Sequence, residues 1–339
     1  MIEKVMADTL NLCGIPSPTG FTEEAARYIE ERLAEASVPW ERTVKGSVLA
    51  KLGGSGKPLI LSAHIDTLGA MVRSVKCNGR LRITKIGSYP ESYLTGVNCL
   101  IHSRLSGKTY TGTFQATEPA VHVNSKLGDE KRDDVNIEVV IDEKVFDADD
   151  VEHLKIRPGD FISIDSGAAR TDSDFIKSRH LDDKAGAAIL LNIADTLDSA
   201  KLNRKVYLFF SNFEETGHGS AAALPEDAVE ILAIDMGAVG DDLGTDEYKV
   251  SICAKDSSGP YNNDVTTDLV HIAEKLDLNY AVAIYPFYTS DASAALRAGA
   301  NLRHGLIGPG VSASHGYERV HKEGLNETFR LIEAYITTL

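Results

Sequence analysis

A histidine and an aspartate lie at the end of an apolar run that reads PLILSAH. His64 closes the run and Asp66 follows two residues later. Alternate residues of an extended strand point to the same side, so the two side chains are predicted to face one way. His64 would then ligate a metal ion while Asp66 fixes its other ring nitrogen. A turn with a capping aspartate and an incidental histidine explains the same residues, so this pair alone is a weak indication.

Two adjacent aspartates, Asp182 and Asp183, stand directly before a helical pattern, AGAAILLNIADTL. Acidic residues at this position often serve only as caps or as partners of the helix dipole. The functional alternative is a carboxylate whose two oxygens bridge two metal ions. The residues by themselves leave both interpretations open.

Two adjacent glutamates, Glu214 and Glu215, follow the apolar run KVYLFF. Carboxylates placed side by side repel one another, and the carboxyl end of a core strand is where α/β sheets bind ligands. The pattern favours a positive ligand here, with one acid binding a metal and the other facing the reacting water. A solvent-exposed acidic turn is the alternative.

Two further residues follow the same logic. Asp235 ends the strand-like run EILAID, and His315 lies in VSASHGYERV, after a Gly-Pro-Gly turn. Either one has a structural explanation when taken alone. Taken together, the candidates form the nitrogen and oxygen ligand set of a two-metal site for which zinc, cobalt and manganese are all compatible: His64, Asp182, Glu215, Asp235 and His315.

The elements that must position these residues indicate a split α/β domain. Apolar strands and helical patterns alternate up to about residue 68 and again from about residue 176, which predicts a mixed sheet with helices on both faces. Between them, residues 69–175 carry short alternating runs separated by Gly, Asn, Asp and Pro. We therefore expect a catalytic domain, 1–68 and 176–339, interrupted by a small β-barrel-like domain or sandwich with one short helix in DADDVEHL.

The amino-acid composition bears on the binding partners and the location of the protein. The formal net charge of the 339 residues is -15, which argues against binding nucleic acid or an anionic membrane through a broad patch. No apolar run has the length of a transmembrane helix, and the N-terminus lacks a signal-peptide core. Four scattered cysteines without a CxxC spacing are typical of reduced thiols, so a cytoplasmic location is expected.

The ordered motifs AHID, HLDDKAG, FEETG, AIDMG and SHGYE resemble those of the M42 family of metallo-aminopeptidases, the relatives of glutamyl aminopeptidase and of the tetrahedral TET peptidases. The resemblance covers essentially the whole chain. The β-rich insertion precedes the Asp182 motif, whereas the related M20 carboxypeptidases usually carry theirs after the acidic pair. This placement favours M42 and a fold of the zinc-exopeptidase type.

The resemblance implies an aminopeptidase with two divalent metal ions per subunit. Asp182 would bridge the two ions, and each remaining ligand would bind one of them: His64, Glu215, Asp235 and His315. Glu214 would be the general base and Asp66 would orient His64. The resemblance further suggests that the insertion mediates dimerisation and that dimers build a hollow dodecamer; a simple lid is the alternative.

The chain departs from the family pattern in three places, which leaves the substrate preference open; one is Thr216, where Val is common. Gly217 is followed by His218, Gly219 and Ser220, where Leu-Arg-Gly-Ala is common, and the Thr-Asp-Ala region around Asp291 carries an extra serine. Asp291 and His218 are candidate substrate-binding residues, although His218 also suits a simple turn. Peptides are the expected substrates. Two alternatives are a metal-dependent amidase or deacylase acting on N-acylated small molecules, and a non-enzymatic scaffold that has kept the fold.

Overall fold

The computed structural model describes residues 1–338, which divide into two compact units, residues 1–66 with 167–338 and residues 67–166. The α-helices, in chain order, are α1 (Ile2–Cys13), α2 (Glu23–Glu35), α3 (Ala148–His153), α4 (Leu181–Thr196), α5 (Asn263–Lys275), α6 (Asp291–Arg297) and α7 (Lys322–Thr338). Short 3₁₀ helices cover Glu91–Leu94, Ser199–Lys201, Glu214–Thr216 and Gly219–Ala221. None of the helices within residues 1–338 is long and apolar enough to cross a bilayer.

The strands, in chain order, are β1 (Trp40–Arg42), β2 (Val48–Gly53), β3 (Leu59–His64), β4 (Gly69–Val75), β5 (Leu81–Ile86), β6 (Asn98–His102), β7 (Thr109–Ala116), β8 (Ile137–Ile141), β9 (Phe161–Ile164), β10 (Ala169–Arg170), β11 (Phe175–Ser178), β12 (Val206–Ser211), β13 (Glu230–Ile234), β14 (Gly237–Ala238), β15 (Val250–Asp256), β16 (Gly259–Pro260), β17 (Tyr280–Ile284), β18 (Arg303–Val311) and β19 (Glu318–His321).

The first unit is built on a ten-stranded mixed sheet in the order β1-β2-β12-β3-β13-β18-β15-β16, with β14 beside β18 and β17 beside β15. Strands β12, β3, β13 and β18 run parallel to one another, whereas β2 and β15 are antiparallel to their neighbours β12 and β18. The predicted mixed sheet is therefore confirmed.

Both faces of this sheet are covered. All six residues of β3 are buried; Leu59 and Leu61 pack with α1, α2, α4, α5 and α7, whereas Ile60 packs on the other face with residues of α6. A strand buried on both faces is continuously apolar rather than alternating, as the run PLILSAH is. The central parallel strands thus end at one edge of a rigid, dry core.

The second unit contains a closed barrel in the order β4-β5-β8-β7-β6-β9. Alternate residues of its strands, such as Leu81, Ile83 and Val139, form a separate apolar core. Helix α3 lies in the acidic run as predicted, and the Asp147 carboxylate caps it by accepting hydrogen bonds from the N–H groups of Asp149 and Asp150 at 3.0 Å. A small barrel, one of the two expected architectures, is what this segment forms.

The inserted unit ends earlier than the expected residue 175. It covers Thr67–Ser166, because β10 and β11 form a three-stranded sheet with β19 near the C-terminus and so belong to the first unit. In the register of this pairing, Phe175 lies opposite His321 and Ser178 opposite Glu318. In sequence, the short runs at 169–178 resemble the preceding barrel strands. They differ only in their pairing partner, β19, which lies some 140 residues later in the chain.

Candidate metal centre

The candidate ligands meet at the carboxyl edge of the central parallel strands. His64 is the last residue of β3 and pairs with Ser211, the last residue of β12; Glu214 and Glu215 follow in the next turn. Asp235 comes directly after β13, which is parallel to β3 on its other side. Parallel strands bring their carboxyl ends to one edge, so residues distant in sequence converge there.

Asp182 lies at the start of α4 and reaches both histidines with different oxygens. Its Oδ1 lies 3.1 Å from Nε2 of His64, and its Oδ2 lies 3.4 Å from Nε2 of His315. The side chain of Asp182 is buried, and the peptide bond to Asp183 is cis. One carboxylate therefore stands between two imidazoles, each of which presents a nitrogen to a different oxygen.

Glu215 completes the group around His315. Its Oε2 lies 3.5 Å from Nε2 of His315, while its buried Oε1 has no hydrogen-bond partner within the described part of the chain. Ligand atoms of His64, Asp182 and Glu215 lie within 4.8 Å of one another. Buried carboxylate oxygens normally accept hydrogen bonds, so an oxygen left without one fits a position that a cation would fill.

Glu214 points toward the same space from the other side. Its Oε2 lies 3.8 Å from Nε2 of His64, and its side chain is 12% exposed. Neighbouring residues of this tight turn present their carboxylates differently: Glu215 toward His315 and Glu214 toward His64. The structure brings the adjacent glutamates to one site with separate orientations.

Asp66 organises the turn that carries both glutamates. Its Oδ1 accepts a hydrogen bond from the N–H of Glu214 at 3.1 Å, and its Oδ2 accepts from the N–H of Glu215 at 3.3 Å and from Thr19 Oγ1 at 2.6 Å. The carbonyl oxygen of Asp66, rather than its carboxylate, lies nearest to Nδ1 of His64, at 2.9 Å; Oδ1 is 3.6 Å away. Asp66 thus orients His64 mainly through its backbone.

A second group of ligand atoms includes a residue that sequence analysis did not place. His64, Asp183 and Asp235 also lie within 4.8 Å of one another. The carboxylate of Asp183 accepts hydrogen bonds from the N–H of His64 at 3.1 Å and from the N–H of Gly186 at 3.0 Å. Asp183 therefore holds the end of β3 against the start of α4, whereas the Asp182 carboxylate accepts from no backbone N–H within residues 1–338.

Glu318 is another functional candidate that sequence analysis missed, although it ends the motif SHGYE. The carboxylate is buried and accepts hydrogen bonds from the N–H of Asp182 at 3.1 Å and from the N–H of His315 at 2.9 Å. His315 has a positive φ of 63°, a conformation uncommon for residues other than glycine. Glu318 thereby ties the backbone of two candidate ligands together.

Lys184 is the buried cation closest in sequence to this group. Its Nζ donates to Ser17 Oγ at 2.6 Å and to the carbonyl oxygen of Ile65 at 2.7 Å, and burial lowers the pKa of its ammonium group to about 8. The bond to Ile65 fixes the backbone between His64 and Asp66.

Several acids of the site have raised pKa values. Burial raises the pKa of Glu215 to about 8 and that of Asp235 to about 7, and the charge of Asp182 adds to both shifts. Burial also raises the pKa of Glu214 well above its usual value, and Asp235 adds to this rise. Burial opposes protonation of His64, yet hydrogen bonding to Asp182 and Asp66 raises its pKa. The site has a surplus of negative charge that a divalent cation would neutralise.

Asp291, a candidate for substrate binding, is buried beneath the loop that follows β12. Its Oδ2 accepts hydrogen bonds from Ser211 and, at 2.8 Å, from Ser62 Oγ; its Oδ1 accepts from the N–H of Ser220 at 2.8 Å. The carboxylate therefore anchors the loop of residues 213–221. These contacts explain its burial without a substrate, and its substrate-binding role stays a prediction.

His218, the other substrate-binding candidate, is exposed in the same loop. Its N–H donates to the carbonyl oxygen of Phe213 at 2.8 Å, and its own carbonyl oxygen accepts from Lys45 Nζ. The residue thus takes part in a turn, as one of the two interpretations expected. A contact of its ring with substrate stays a prediction.

Comparisons with known proteins identify the family of the chain. Residues 46–331 match the family model of the M42 glutamyl aminopeptidases. "Putative aminopeptidase YhfE" of Bacillus subtilis (strain 168) is 45% identical over 339 residues, with 99% of this chain and 98% of that protein covered.

Solved structures share the fold at lower identity. An aminopeptidase from the archaeon Desulfurococcus kamchatkensis matches with a TM-score of 0.88 at 22% identity, covering 100% of this chain and 96% of that one. The TET1 peptidase of Pyrococcus horikoshii matches with a TM-score of 0.86 at 22% identity, covering 99% and 100%. Because the family model and the 45% identical relative both span most of the chain, it belongs to the metal-dependent M42 peptidase family and is a hydrolase of the aminopeptidase class.

Proposed function

We propose that the protein removes N-terminal residues from peptides with two divalent metal ions held by His64, Asp182, Glu215, Asp235 and His315. The observation that carries the proposal is the position of Asp182, whose two oxygens face two different histidines. A carboxylate that served only as a helix cap would direct its oxygens to backbone N–H groups of the first turn. Asp183 does this by accepting from Gly186, whereas Asp182 does not.

The ligand set suits zinc, cobalt or manganese, since imidazole nitrogens and carboxylate oxygens bind all three. Asp182 would bridge the ions; His315 and Glu215 would hold one of them, and His64 and Asp235 the other. The unpartnered Oε1 of Glu215 supports this assignment. Bound divalent ions would polarise the scissile carbonyl and make the attacking water more acidic.

Glu214 would act as the general base in this reaction. Its carboxylate lies beside His64 yet is not needed as a ligand, and its backbone N–H is fixed by Asp66. One oxygen would accept a proton from the attacking water and then deliver it to the nitrogen of the leaving amine.

Replacing one carboxylate oxygen of Glu214 tests its role as the general base. Glu214→Gln keeps the size and the turn but cannot accept the proton, so kcat should fall about 100- to 10,000-fold with metal content unchanged. Glu143→Gln, an exposed acid in the other unit, is the matched control and should keep full activity. Mass spectrometry of bound metal and hydrolysis of aminoacyl-arylamides are the readouts. A Glu214→Gln enzyme with a near-normal rate would refute the role.

The same preparation identifies the substrate class. Aminoacyl-arylamides and N-acyl amino acids should be assayed side by side on protein reconstituted separately with zinc, cobalt and manganese. An aminopeptidase requires a free α-amine, so acylated substrates should be inert. Hydrolysis of N-acyl amino acids alone would favour an amidase or deacylase instead.

We also propose that the inserted unit, residues 67–166, mediates dimerisation and that the dimers assemble further in the cytoplasm. The TET1 peptidase of Pyrococcus horikoshii is described as assembling into a tetrahedron or a large octahedral shell, which supports the idea by analogy. Cys13, Cys77, Cys99 and Cys253 are all free thiols, which suits a reducing compartment. Light scattering that gives a monomer at micromolar concentration would rule the assembly out.

A further inference from the structure

A cavity lined by charged and polar residues lies at the opposite edge of the central sheet from the candidate metal centre. Strands β3, β12, β13 and β18 are parallel, and the cavity is formed where their amino ends meet. It has a volume of about 300 Å³ and is lined by Lys57, Asn203, Arg204, Asp268, Arg303 and Tyr335. Since β3 is six residues long, the two edges are about 17 Å apart.

The floor of the cavity is a buried ion cluster centred on Glu230. Arg204 Nη1 and the Tyr335 hydroxyl both donate to Oε1 of Glu230 at 2.7 Å, and Arg303 forms an ion pair with Oε2. Glu230 is fully buried. The cluster uses Nη1 of Arg204, and the guanidinium of this residue also lies over the Tyr335 ring, with Cζ 5.5 Å from the ring centroid.

Arg204 keeps a donor that this cluster does not use. The residue is 5% exposed, and its Nη2 is buried without a hydrogen-bond partner in residues 1–338. A guanidinium N–H left unpaired in a buried position costs free energy that a bound acceptor would recover. Arg204 also lines the cavity, so a small rotation of its guanidinium would let a ligand there supply the missing acceptor.

The charges around the cavity favour an anion. Lys57, Arg204 and Arg303 are positive, against Glu230 and Asp268, although the whole chain has a net charge of -15. Lys57 forms no ion pair among the described residues and is exposed, so its ammonium group is free to approach a ligand. A locally positive, concave site on an acidic protein is a suitable place for a small oxyanion.

We propose that this cavity is a binding site for a small oxyanion, a phosphate group or a carboxylate, held by Lys57, Arg204 and Arg303. Arg204 donates through Nη2 and Lys57 supplies a charge at the rim. The site is separate from the catalytic residues and is not part of the proposed peptidase mechanism.

Isothermal titration of the metal-loaded protein tests the proposal, with inorganic phosphate in one arm and sodium acetate in the other, at matched chloride. One saturable site per chain is expected with at least one anion. Lys57→Gln should weaken it about two- to fivefold, and Arg204→Lys, which keeps the charge but removes Nη2, about tenfold. Lys108→Gln, the same charge change on an exposed lysine of the other unit, should leave the affinity unchanged.

Two results would overturn the proposal. One is the absence of saturable binding with both anions, which would mean that solvent alone satisfies Arg204. The other is binding that Lys57→Gln and Arg204→Lys both leave intact but Asp182→Ala removes, which would place the anion at the metal centre. Lys57 is exposed, so its variant remains informative even if Arg204→Lys fails to fold. Binding of phosphate alone would identify phosphoryl ligands, and binding of acetate alone would identify carboxylates.

Discussion

Glu318 offers the sharpest test of how the candidate metal centre is held together. Its buried carboxylate joins two backbone N–H groups, those of Asp182 at 3.1 Å and His315 at 2.9 Å. It touches neither substrate nor metal in the proposed mechanism, so it is a positioning residue. We expect Glu318→Ala to loosen both ligands at once and to weaken metal binding.

The size of the effect follows from the two bonds. A hydrogen bond to a charged acceptor contributes about 1.5–3 kcal/mol, so the loss of both bonds costs at most about 3–6 kcal/mol. Removal of Glu318 also relieves repulsion with Asp182, because burial and Asp182 together raise the pKa of this glutamate well above its usual value. We therefore expect Glu318→Ala to lower the free energy of unfolding by about 3 kcal/mol, the lower end of this range. It should also reduce the metal affinity about 10- to 100-fold.

Metal affinity should be measured by titration against a chelator of known strength, together with chemical unfolding of the metal-loaded protein. Glu318→Gln keeps one acceptor oxygen and should lie between the wild type and Glu318→Ala. Glu230→Ala is the control: it removes an equally buried carboxylate at the far edge of the sheet, so it should lower stability but not metal affinity. Wild-type metal affinity in a folded Glu318→Ala protein would refute the reasoning.

Three further predictions concern other parts of the first unit. Asp182→Ala should lose bound metal, measured by mass spectrometry, because the variant has no second oxygen pair between the histidines; full occupancy would contradict a bridging role. Gly219→Ala would place its Cβ 1.7 Å from Oδ1 of Asp291, so the loop must shift and kcat should fall, whereas Gly128→Ala meets no atom within 4 Å and should be silent. Burial lowers the pKa of His304 from its ordinary 6.5, so the folded state binds fewer protons there and stability should fall as the pH drops below about 6.5. Chemical unfolding of His304→Gln should show a shallower pH dependence, and an unchanged slope would contradict this.

The sequence predicted that the strand-end candidates lie at one site because their placement follows from local pattern. His64 and Asp235 each follow a run that is apolar enough to be a buried parallel strand, and such strands end at one edge. Asp182 was ambiguous, since a cap and a bridge need the same residue at the same helix position. The positions of His64 and His315 relative to Asp182 distinguish a cap from a bridge, and the sequence does not contain them.

The residues that sequence analysis missed act through tertiary contacts. Glu318 lies in β19 and bonds to a residue of α4 that precedes it by 136 positions. The register of β11 against β19 sets this contact, and the same pairing moves the boundary of the insertion. Asp183 and Lys184 belong to the same sequence motif as Asp182. Their roles depend on which backbone groups at the end of β3 face them. No periodicity or composition reports such contacts.

The interruption of the first unit by a complete barrel has a consequence for biosynthesis. The barrel strands β4–β9 are contiguous in sequence and have their own apolar core, so this unit can close as soon as it leaves the ribosome. Strand β3 is made earlier, yet its parallel partners β12 and β13 are made only after the whole barrel. Strand β3 therefore remains unpaired while the barrel is translated, and a chaperone would act on this segment. Ribosome-stalled chains long enough to expose β9 but not β12 should thus carry a folded barrel beside a protease-sensitive β3.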